Sequence, residues 1–122
     1  MPNVQNSRVY DLEERTAKFG ENVIHFASGL SKNEVNKILV NQIVRSATSV
    51  GANYMEANQA CSKKDFKNKI GICRKEANET KYWIRMISSA NKDKIDECKP
   101  LWKESQELLL IFSKIFSSSI KD

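Results

Sequence analysis

Apolar residues return at helical spacing in four separate stretches of this chain, and none of them shows the two-residue alternation of a strand. That pattern restricts the chain to an all-α architecture. The first stretch covers residues 12–28 and places Phe19, Val23, Phe26 and Ala27 toward one side, with Asp11 and Glu14 spaced as a capping box at its start. The second, 32–58, opens on Ser31 and Glu34 with the same signature. The third, 63–90, has Ser62 as its N-cap. The polar run "NKDKIDECKP" then reads as a loop that brings Pro100 to the first position of the last helix, 101–118. Leu108, Ile111, Phe112, Ile115 and Phe116 form the apolar side of that helix. Only 4 Gly and 2 Pro occur in 122 residues, too few for a turn-rich β fold. The expectation is one domain over residues 1–122, an antiparallel up-down four-helix bundle. Its long second and third helices should protrude beyond the other two.

The stretch "SVGANYMEA", Ser49 to Ala57, is out of character for the middle of a helix. Glycine there costs about 1 kcal/mol relative to alanine. On a helical wheel Leu39, Ile43, Ala47, Val50, Tyr54 and Ala57 make the core seam. Gln42, Arg45, Ser49, Asn53 and Glu56 make a polar band beside it. Between Ile38 and Met55 the only charged residue is Arg45. A bundle helix facing water normally shows Lys and Glu on its outer side. Small neutral residues in their place predict that something else covers this helix, most naturally a second subunit. Asn53 and Glu56 would then find partners among Lys75, Glu76, Glu79 and Tyr82 and set the register between helices or subunits. An uncharged but wet outer face, with Glu56 solvated, is the plainer alternative.

In the third segment Lys63, Lys67, Arg74, Lys81 and Arg85 fall within about 40° of one another on the wheel. This basic stripe borders the seam of Phe66, Ile70, Cys73, Ala77 and Ile84, while Asp65, Glu76 and Glu79 point away. The formal net charge of +5 and a pI near 9.2 agree with a polyanionic partner. A solvated face whose long side chains cover the core edge is the alternative. Aromatics beside the stripe are missing, so single-strand stacking finds little support, and phosphate and shape contacts without base reading are the expected mode.

Signs of catalysis are missing. The single histidine, His25, has no matching nucleophile, and no His, Cys, Asp or Glu cluster has metal-ligand spacing. Gly51 and Gly71 are isolated and form no phosphate loop. Glu76 and Glu79 lack the ExxH partner of a bundle metal site. No enzyme, cofactor or metal is expected. Cys61, Cys73 and Cys98 are odd in number and read as reduced thiols of a cytoplasmic protein. The opening residues lack a signal-peptide core, and no run reaches the ~18 apolar residues of a membrane span.

Together, "RSATSVGANYMEA" and "SKKDFKNKIGICRKEANETKYWIRMI" resemble the four-helix-bundle family of 23S rRNA intervening-sequence proteins. "DLEERTAKF" and "ESQELLLIFSKIFSSSI" are similar to the family's first and last helices, so the likeness covers about nine-tenths of the chain. The resemblance implies a bundle that assembles into a homopentamer, with nucleic-acid binding as the usual proposal and no established catalysis. It also implies a relation to the accessory variability proteins of diversity-generating retroelements. Gly51 departs from the proline of many relatives, and the helix 3 to helix 4 connection is this chain's own. On this reading Lys63, Lys67, Arg74, Lys81 and Arg85 contact nucleic acid, RNA ahead of DNA. Arg45, Ser49, Gly51, Asn53, Glu56, Glu76, Glu79 and Trp83 make oligomer or register contacts. The alternative is an assembly scaffold or adaptor for a protein partner, such as a reverse transcriptase or ribosomal component, using Ile72, Trp83 and Ile87.

Overall fold

A computed structural model describes the backbone of residues 4–121 and the side chains of residues 12–118. Four helices follow one another: α1 (Val4–Ser28), α2 (Glu34–Asn58), α3 (Lys63–Ala90) and α4 (Ile95–Lys121), with one 3₁₀ turn at Lys92–Lys94 before α4. No strand occurs among the described residues. Each helix packs on the next in chain order, and α1 closes against α4 along a thinner contact. There Arg15 grips Glu104 through two N–H donors, Nε at 2.7 Å and Nη2 at 2.8 Å. Phe19 and Val23 of α1, Ile43 and Val50 of α2, Ile70, Ile84 and Ile87 of α3, and Leu108 and Phe112 of α4 fill the shared core.

The helix ends show where local signals decided and where packing did. Ser62 caps α3 as expected, its hydroxyl accepting the Asp65 N–H at 3.0 Å. At α2 the cap is Asn33, whose side chain accepts the Asn36 N–H at 2.8 Å, and not Ser31. Helix α1 reaches back to Val4, ahead of the expected start, and the Asp11 side chain lies outside those described. The expected loop before Pro100 is mostly helix, since α4 already begins at Ile95. A proline so placed removes one backbone hydrogen bond. Burial of Cys98 and Leu101, one turn apart, holds the turn against the core regardless. Helices α2 and α3 are long, with 25 and 28 residues, but α1 and α4 have 25 and 27. The rods are therefore of nearly equal length, not two long and two short.

Gly51 does have a close neighbour, and it comes from the same chain. A Cβ at this position would stand 3.4 Å from both the carbonyl and the hydroxyl oxygen of Thr16 on α1. One turn away, a Cβ on Gly20 would meet the Thr48 methyl at 3.6 Å. Ser46 is fully buried, with its hydroxyl 2.8 Å from that of Thr80 on α3. Much of the cover expected from a second subunit is thus supplied by α1 and α3. Small side chains on α2 let both neighbours approach within the bundle. What stays open on α2 is a strip that includes Ile38, 63 % exposed, and Met55, 59 % exposed.

All three cysteines are free. Cys73 is buried, its thiol donating to the Val50 carbonyl at 3.4 Å, and burial pushes its pKa up to about 12. Burial also raises the Cys98 thiol, whereas Cys61 is exposed. Because the thiolate is the reactive form, a thiol reagent at pH 8 is expected to label Cys61 alone in the folded protein and all three cysteines after denaturation. Rapid labelling of a second thiol in the native state would contradict this core.

Candidate nucleic-acid interface

The five stripe cations lie along the side of α3 that meets α4. Lys63 and Arg85 are exposed at its two ends, while Lys67, Arg74 and Lys81 are half-buried against α4. Aromatic rings of α4 receive them. Lys67 Nζ is 5.3 Å and the Arg74 guanidinium 4.2 Å from the centre of the Phe116 ring. Lys81 Nζ is 4.8 Å from the centre of the Trp102 ring and donates a hydrogen bond to Gln106 Oε1. Such cation–π contacts are worth about 0.5–1 kcal/mol each where solvent reaches them. Gly71 makes room for this arrangement, since a Cβ there would come within 3.1 Å of the Phe116 ring. The expectation that the stripe has no aromatic neighbours is therefore corrected. They belong to another helix, which a wheel of α3 alone cannot show.

Among the described residues none of the five stripe cations is in an ion pair. Other cations do pair within the chain: Arg15 with Glu104, Arg45 with Glu76, Lys69 with Glu56, Lys94 with Glu97 and Lys99 with Asp96.

On the opposite side of α3, toward α2, the carboxylates are paired within the chain. Glu76 is 7 % exposed, and a carboxylate so placed needs a counter-charge. Arg45 reaches across from α2 and supplies it, with Nη1 2.9 Å from Glu76 Oε2 and Nη2 paired to Glu79. Glu79 also accepts the Trp83 indole N–H at 2.9 Å, and Tyr82 sets its ring edge-on to Trp83 at 5.1 Å. Four of the expected register residues thus converge on one network. Glu56 pairs with Lys69 at 3.0 Å, and that hydrogen bond raises the lysine's pKa. Asn53 does not bridge to Glu56 or α3. Its amide donates to the Ser49 carbonyl and hydroxyl, one turn back on the same helix, at 2.8 and 2.9 Å. Gly51 stands apart on the α1 side. Ile72 is 37 % exposed and Trp83 half-buried on the outer face, but Ile87 is fully buried in the core and offers no surface.

Sequence reasoning missed one buried polar pair altogether. Asn36 near the start of α2 and Asn91 at the end of α3 exchange amide hydrogen bonds at 2.9 and 2.8 Å. Asn36 donates as well to the Ser31 carbonyl at 2.8 Å, and Asn91 to the Ile87 carbonyl at 3.0 Å. The only hint is an asparagine at a core position of a helix pattern. Among the described residues, no three His, Cys, Asp or Glu side chains group to hold a metal, and no helix is long and apolar enough to cross a membrane.

Residues 8–114 match the family model described as 23S rRNA-intervening sequence protein. Among solved structures, the chain is similar to a protein of unknown function from the S23 ribosomal protein family of Bacteroides thetaiotaomicron. The two are 30 % identical and superpose with a TM-score of 0.78, over 86 % of this chain and 97 % of the other. A search of curated proteins finds no match.

Proposed function

The chain belongs to the 23S rRNA-intervening sequence protein family, and we propose on that footing that it is a non-catalytic, cytoplasmic, homo-oligomeric basic bundle that holds RNA, or DNA, by its phosphates. The observation that carries this reading is the charge pattern of α3. Five cations without an internal carboxylate partner line its α4 side. The carboxylates of its other side are paired to Arg45. A polyanion that neutralises the stripe releases its own condensed counterions, the main driving force for phosphate binding. A second copy of the chain is the expected cover for the outer α2–α3 face. Its carboxylates Glu76 and Glu79 are both paired to Arg45, and Ile38 and Ile72 are exposed on the same two helices. Five copies is the number that the family resemblance implies, and a ring would repeat the stripe around the assembly.

The same exposed Ile38 and Ile72 support a second reading, in which that face docks a protein and the bundle acts as scaffold or adaptor. Light scattering combined with filter binding separates the two. The expected result is a mass several times 14.0 kDa and an RNA affinity that falls steeply between about 50 and 200 mM salt. A stable monomer at micromolar concentration would remove the ring. Affinity indifferent to salt would remove the phosphate contacts.

A further inference from the structure

We infer that Trp102 is a stacking platform for an unpaired base, so that the nucleic acid lying on the α3 stripe is single-stranded where it passes α4. The inference deepens the phosphate-binding reading above and rests on it.

The two α4 aromatics under the stripe are not equivalent. Phe116 has both Lys67 and Arg74 over its ring and packs into the space left by Gly71, so its role is to support the cations. Trp102 has a single cation over it and is 43 % exposed. The same Lys81 ammonium is tethered by Gln106, one turn further along α4, and is thereby held over the indole. Arg85, one turn beyond Lys81 on α3, is exposed and pairs with no carboxylate among the described residues. A partly open indole with Lys81 over its ring, and exposed Arg85 one turn further along α3, matches the groove-plus-ring arrangement that binds single strands. In a duplex the flat faces of the bases are already stacked on each other and cannot lie on a side chain. An unpaired base can, and stacking tolerates any sequence because every base has a π-face. The added specificity is for unpaired over paired nucleotides, not for one base over another.

The test compares oligo(U) with a duplex RNA of similar charge, binding to the full chain at one salt concentration. Trp102→Ala is expected to weaken oligo(U) binding about tenfold, to weaken duplex binding much less, and to be largely rescued by Trp102→Phe. In the unaltered protein oligo(U) should quench tryptophan emission and the duplex should not. Two outcomes overturn the stack while leaving the phosphate reading intact. One is wild-type oligo(U) affinity in Trp102→Ala while reversal of the stripe charges abolishes binding; the other is the absence of quenching by bound oligo(U). Binding that survives both the alanine change and the charge reversal overturns the two readings together.

Discussion

Asn36→Leu is expected to lower the free energy of unfolding by about 3 kcal/mol, counting about 1–3 kcal/mol for each buried polar group left without a partner. In this protein two buried groups of Asn91 lose theirs, the side-chain oxygen and the amide N–H that donates to the Asn36 oxygen. Both asparagines are buried, so water cannot readily replace the lost contacts. For a chain of this size the change should lower Tm by roughly 10 °C, measured at fixed protein concentration because assembly contributes to apparent stability. The double variant Asn36→Leu with Asn91→Leu distinguishes a polar clamp from simple packing. Removing both partners leaves fewer orphaned groups, so the second change should cost much less than it does alone, with a coupling of about 1–3 kcal/mol. Strict additivity of the two losses would show that the amides do not depend on each other.

Reversing three stripe charges, Lys67→Glu, Arg74→Glu and Lys81→Glu together, should weaken RNA binding on the order of a hundredfold near 0.1 M salt. It should also reduce the slope of log affinity against log salt by about 2–3 per binding surface. Each substitution removes a phosphate partner and adds a repulsive charge to the same place. Lys67 and Arg74 also rest on the Phe116 ring, so part of any loss could come from α4 shifting. The neutral set Lys67→Gln, Arg74→Gln and Lys81→Gln controls for that, with an intermediate loss of about tenfold and a similar change in salt slope. Thermal melts of both sets report whether the bundle is intact. Equal affinity of wild type and the reversed variant, at equal salt, would take the stripe out of the function.

The two predictions draw on opposite kinds of knowledge. The stripe was visible in the linear order of residues, because Lys67, Arg74 and Lys81 recur with the period of one helix. The same periodicity announced the four helices and the Ser62 cap, whose acceptor and donor lie three residues apart. The core seam of α2, from Ile43 through Val50 to Ala57, was equally open to it. These are all relations within a turn or two, where backbone geometry alone decides which side chains are neighbours.

The Asn36–Asn91 clamp joins residues 55 positions apart, and no local pattern relates them. Gly51 could be recognised as a place of close approach, but not that Thr16 of α1 would be the group approaching. Helical period likewise put charges on one side of α3 without showing that Phe116 and Trp102 would lie beneath them. Nor could it foresee that burial of Cys98 and Leu101 would draw the chain before Pro100 into α4. A repeat along one helix states which side turns inward. Which helix it meets, at what height and through which side chains, depends on contacts between distant parts of the chain, and these exist only once the four rods are packed.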